Sequence, residues 1–163
     1  MKYSGLIKND IVNGQGVCVS LFVQGCPHKC PGCFNPETWN PEEGIETPVD
    51  LKGQIIKAIS ANGIIRNFSI LGGEPLAPYN LEFVNNILTA VKAAYPQILI
   101  YLWTGYTLEE LAERKQSEDV LYELLNKVDI LIDGPFIEEQ KDLTLPLRGS
   151  KNQRVIKLKE IDF

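Results

Sequence analysis

Five short apolar runs, each rich in β-branched residues and closed by turn residues, divide the chain: Val17 to Val23, Phe68 to Leu71, Ile98 to Trp103, Val128 to Ile132 and Val155 to Leu158. Runs of this length and make-up form buried strands. Between them apolar positions recur at helical spacing, with Leu51, Ile55, Ile56 and Ile59 on one face and Leu81, Val84, Leu88 and Val91 on another. Thr47 ahead of Pro48, and Thr107 three residues before Glu110, mark two helix starts. Leu111, Leu121, Leu124 and Leu125 supply the buried side of the helical stretch after the third strand. This alternation implies right-handed crossovers and an α/β fold with a mainly parallel sheet, either open or curved into part of a barrel. With no internal repeat or linker, one domain over residues 1–163 is expected.

The unusual residues fall where these strands end. The first runs into Gly25 and Cys26, the second into Gly72-Gly73-Glu74-Pro75, the third into Thr104-Gly105-Tyr106 and the fourth into Asp133-Gly134-Pro135. In a parallel sheet all four clusters share the carboxyl edge, where α/β folds bind ligands because loops there vary without disturbing the scaffold.

Three of the four cysteines lie in one loop, as Cys26-x-x-x-Cys30-x-x-Cys33. Pro27, Pro31 and Gly32 keep the loop from forming a regular helix, so its backbone wraps around what the thiolates hold. A cubane offers four irons, so three thiolates leave one iron open, much as a catalytic zinc keeps a free position. Three alternatives stand beside this: a zinc site completed by His28, a Cys30-Pro31-Gly32-Cys33 disulfide, and a cluster that takes Cys18 as fourth ligand. His28 is expected to be a solvated loop side chain, and Cys18, alternating with apolar neighbours, a core residue.

The net charge of -5 and pI near 5.0 give no basic field for nucleic acid or an acidic membrane surface. The first residues form no apolar leader and no segment is apolar for long enough to span a bilayer, so a cytoplasmic location is expected. Thiols stay reduced there, which favours metal binding or catalysis over a disulfide framework.

The cysteine spacing after the first strand, followed by Gly-Gly-Glu-Pro after the second, resembles the radical S-adenosylmethionine superfamily. DIVNGQG, QGCPHKCPGCFNPETW, WTGYTLEEL, DGPF and RGSKNQR extend the resemblance over essentially the whole length to the activating proteins of anaerobic ribonucleoside-triphosphate reductase. RGSKNQR helps separate these from the longer activase of pyruvate formate-lyase. Gly32 stands where many superfamily members carry an aromatic residue, and GGEP replaces the GGDP frequent among these activases.

The resemblance implies a partial (βα) barrel and an oxidoreductase. It implies that Cys26, Cys30 and Cys33 ligate a [4Fe–4S] cluster whose fourth iron is chelated by S-adenosylmethionine. Gly72 and Gly73 would let the backbone approach the methionine moiety, Glu74 would accept from its ammonium, and Gly32, Cys33 and Phe34 would lie beside the adenine. One electron from the cluster would yield methionine and a 5′-deoxyadenosyl radical, which takes hydrogen from a glycine of the reductase. Reduced flavodoxin or a similar protein would donate the electron. No general base is needed, in keeping with a single histidine. Asp133, Arg148, Asn152, Gln153 and Arg154 would contribute to the reductase contact, to the cofactor pocket or to both. The alternatives are an activase for another glycyl-radical enzyme and an iron–sulfur electron-transfer protein.

Overall fold

The computed structural model describes residues 1–163. Its strands are β1 (Lys2–Asp10), β2 (Cys18–Val23), β3 (Ile45–Glu46), β4 (Asn67–Gly72), β5 (Ile100–Trp103), β6 (Ile130–Asp133) and β7 (Arg154–Lys157). The helices are α1 (Leu51–Ile59), α2 (Leu81–Ala94), α3 (Leu108–Arg114) and α4 (Asp119–Leu125). All seven strands form one sheet in the order β3-β1-β2-β4-β5-β6-β7.

The sheet is mixed, which corrects the expectation of a mainly parallel one. β2, β4, β5 and β6 pair in parallel, and helices cover the crossovers. β1 pairs antiparallel with both β2 and β3, and β7 pairs antiparallel with β6. The segment between β6 and β7 contains no α-helix to carry the chain back across the sheet, so β7 returns alongside β6 in the opposite direction. β1 escapes periodicity because only Tyr3 and Asp10 of its nine residues are buried, and its register slips twice.

One face of the sheet carries the core. Val19, Leu21, Val23, Phe68, Ile70, Ile100, Leu102 and Leu131 meet Ile55, Ile59, Val84, Leu88, Leu121 and Leu124 of the helices. The alternate positions Ser20, Ser69, Tyr101 and Ile132 are buried as well. Loops cover them: Ser69 Oγ donates to the Asn13 carbonyl (2.5 Å), and Trp103 Nε1 donates to the Leu147 carbonyl (2.7 Å). No helix is long and apolar enough to cross a membrane.

Thr107 and Glu110 form the expected capping box at α3. The Thr47-Pro48 start does not hold. A turn from Leu51 N–H to the Pro48 carbonyl intervenes, the cap position falls to Asp50, and Thr47 Oγ1 is buried without a partner. Replacing Thr107 by Ala should therefore cost about 1 kcal/mol in urea unfolding, a usual value for a lost cap. Thr47→Val removes an unpaired hydroxyl, so it should leave the midpoint unchanged or raise it.

Candidate metal and cofactor site

The cysteine loop begins where β2 ends and is closed at its base by two backbone bonds, Gly25 N–H to the Thr38 carbonyl (2.6 Å) and Cys26 N–H to the Trp39 carbonyl (3.0 Å). Gln24, buried at that base, donates through Nε2 to the carbonyls of Glu37 and Asn40 and accepts from Ser4 Oγ. Asn80, fully buried, donates to the Gln24 and Glu74 carbonyls and so joins the loop base to the turn after β4. Neither residue was singled out in the sequence. For Gln24 the signal available was a polar side chain placed directly after an apolar strand, and for Asn80 an amide directly before a helix.

Cys26, Cys30 and Cys33 are free and half-buried. A turn from Cys33 N–H to the Cys30 carbonyl (3.1 Å) brings the second and third together, and Asn35 N–H points at Cys33 Sγ (3.4 Å). Burial pushes the Cys26 thiol up to about 11, against the backbone N–H groups of His28 and Lys29. Burial raises Cys30 as well, with the Phe136 N–H opposing it.

No three ligand side chains converge on one point as a single ion would require. A cubane spreads its irons and suits thiols that stand apart, so the donor set fits the cluster better than zinc. Cys18 lies at the opposite end of β2, a strand length of roughly 17 Å away, and is fully buried. It is a core residue and out of reach as a fourth ligand.

Glu74 is the hub of the site. Its side chain is 1 % exposed, and both oxygens are fully engaged. Oε1 accepts from Leu76 N–H (2.9 Å) and Thr104 Oγ1 (2.7 Å), while Oε2 accepts from Gly105 N–H (2.7 Å) and His28 Nε2 (2.8 Å). His28 is thus no solvated loop residue, since a buried acceptor draws it inward, and it forms no three-ligand set with the cysteines. Gly72 and Gly73 have a reason inside the chain. A Cβ at Gly72 would stand 2.9 Å from the backbone of Phe22 and Val23, and one at Gly73 would collide with the Gly25 carbonyl. The turn is sewn to β2 and the loop by Gly73 N–H to the Val23 carbonyl and Glu74 N–H to the Gly25 carbonyl.

The segment after β6 buttresses the loop. Phe34, 54 % exposed, packs on Phe136 at 5.0 Å between ring centres and lies flush against Gly149, while Gly32 faces the Glu138 carboxylate. Asn152 Nδ2 donates to the Pro135 carbonyl, and Gln153 donates to the Gly134 carbonyl while accepting from Gly149 and Ser150 N–H. Arg148 donates to the Gln153 carbonyl. Buried Asp133 accepts from Leu108 N–H at the start of α3 and from the Arg154 guanidinium, which also forms two bonds to Glu109. These five side chains hold the 134–153 segment in place by bonds within the chain.

Two outcomes follow from this geometry. In the cluster-free protein, alkylation of Cys26 should keep accelerating with pH to about 11, whereas an unperturbed thiol levels off near 8.5. A Cys26 rate that levels off near 8.5 would contradict its burial. Glu74→Gln sets an amide N–H₂ against donors, and should lower stability by about 2–3 kcal/mol in urea unfolding.

Comparison with known proteins agrees with this site. Residues 12–156 match the family model described as a 4Fe-4S single cluster domain. Three relatives share one name, anaerobic ribonucleoside-triphosphate reductase-activating protein. The Vibrio cholerae protein is 41 % identical over 94 % of this chain and 96 % of its own length. The Haemophilus influenzae protein is 37 % identical over 98 % and 99 %, and that of Enterobacteria phage T4 is 37 % identical over 95 % and 93 %. Three separated thiols beside a buried carboxylate hub, carried on a chain that matches these relatives almost end to end, place it in the family of anaerobic ribonucleoside-triphosphate reductase-activating proteins.

Proposed function

We propose that this chain is a radical S-adenosylmethionine activase that generates a glycyl radical on anaerobic ribonucleoside-triphosphate reductase. The observation that carries the reading is the loop itself: three free thiols with no fourth cysteine in reach, held against the Glu74 turn at the carboxyl edge of the parallel strands. Cys26, Cys30 and Cys33 hold a [4Fe–4S] cluster with one open iron, and the mixed sheet serves as the partial (βα) barrel of that superfamily. When bound, the cluster and S-adenosylmethionine together supply the reductive cleavage and the hydrogen-abstracting species.

The chain's own residues prepare this chemistry. The backbone bonds at the loop base fix where the thiolates stand, and the Cys26 thiol must release its proton on ligation. All four acceptor positions of Glu74 are already filled, so a contact with the cofactor's ammonium requires one donor from the turns after β4 and β5 to give way. Phe34 and Gly32 offer a ring edge and a side-chain-free backbone toward the adenine. Asn152 and Gln153 are spent on carbonyls within the 134–153 segment, so the exposed Arg154 side chain is the more open of these groups for the reductase. Reduced flavodoxin or a similar protein supplies the electron.

After anaerobic reconstitution and reduction, the wild type should convert S-adenosylmethionine to methionine and 5′-deoxyadenosine and, with the reductase present, give the doublet signal of a glycyl radical. Cys30→Ala should give neither. A stable cluster without cofactor cleavage would instead favour electron transfer.

A further inference from the structure

The chain's one histidine lies between two of the loop cysteines, and its Nε2 bonds to Glu74. We propose that His28 is a positioning residue that locks the cysteine loop onto Glu74, so that the three thiolates and the turn after β4 are registered before cluster and cofactor bind. Its relevance to the cofactor rests on the function proposed above. The lock itself belongs to the cluster-free chain.

Three observations point the same way. First, of the four donors to Glu74, Leu76 N–H, Thr104 Oγ1 and Gly105 N–H belong to the turns after β4 and β5, and only His28 comes from the loop. Inside the loop the Cys30 thiol meets only the Phe136 N–H of the segment after β6, so the His28 contact alone ties the loop interior to the turns after β4 and β5. The contact is made to an acceptor whose side chain is almost fully buried.

Second, the ring has a seat made for it. It meets the Tyr106 ring edge-on, with centres 4.5 Å apart and planes at 74°, and a Cβ at Gly105 would run into it. Gly105 has no positive φ, unlike Gly72 and Gly134, so its backbone does not call for glycine. The missing side chain makes room for His28. Tyr106 is in turn covered by the Arg114 guanidinium at 4.6 Å, which steadies the wall of the seat.

Third, Lys29, next in sequence, is held at φ +49°, a conformation uncommon for a residue other than glycine. This residue sits between the His28 anchor on one side and the half-buried Cys30 on the other.

The test compares His28→Ala, His28→Gln and Gly105→Ala by hydrogen exchange of the cluster-free protein, then by S-adenosylmethionine affinity and turnover after reconstitution. His28→Ala and Gly105→Ala should speed exchange of the residue 28–33 amides by about tenfold while α2 stays protected, and should weaken cofactor affinity by about tenfold at near-normal turnover of bound cofactor. His28→Gln, which keeps a donor at similar reach, should restore most of both. Wild-type exchange and affinity in His28→Ala and Gly105→Ala would overturn the proposal. So would faster exchange that spreads equally into α2, because His28 would then be a general packing residue. If the reconstituted wild type binds no S-adenosylmethionine, the function proposed above fails, and the exchange rates still decide whether the lock exists.

Discussion

A single buried carboxylate holds the functional edge of this molecule together. Glu74 gathers donors from its own turn, from the turn after β5 and from the cysteine loop, so three chain segments far apart in sequence share one acceptor. An ionised group taken out of water is tolerable only when its lone pairs are filled, and here they are. The glycines around it follow from the same requirement. Gly72 and Gly73 let the turn pass against β2 and the Gly25 carbonyl, and Gly105 leaves the space that His28 fills.

The carboxyl-terminal segment then closes the loop from the other side. Its Asn and Gln side chains are used up in fixing the turn over residues 149–153 against the residues that follow β6, and this places Phe136 against Phe34. The arrangement separates two tasks. Internal hydrogen bonds fix the shape of the segment, while the Phe34 ring stays half exposed. The Arg154, Asp133 and Glu109 group belongs to the first task, because it ties β7 to β6 and to the start of α3.

Much of this architecture was legible in the sequence because it rests on periodicity and spacing. The four parallel strands and the faces of α1 and α2 are apolar patterns, Thr107 with Glu110 is a local cap, and the cysteine spacing is a local motif. What escaped depends on contacts between distant segments. Lys2–Asp10 buries too few residues to show a period, and the direction of β7 depends on the absence of a crossover helix. His28 looked like a loop residue because its acceptor lies 46 positions away, and Asn152 and Gln153 looked free because their carbonyl partners belong to the segment after β6. The glycines were legible as special positions, although the structure supplies an additional reason for them, close packing of the chain on itself.

The central claim is that three thiolates hold a cluster with one iron left for the cofactor. Mössbauer spectroscopy of the protein reconstituted with ⁵⁷Fe, recorded before and after S-adenosylmethionine is added, tests it directly. The account predicts that one iron in each cluster changes its parameters on addition while three stay as they were. Four irons that remain alike and unchanged would contradict it, because the cluster would then have no open position and the missing fourth cysteine would have been replaced by some other ligand.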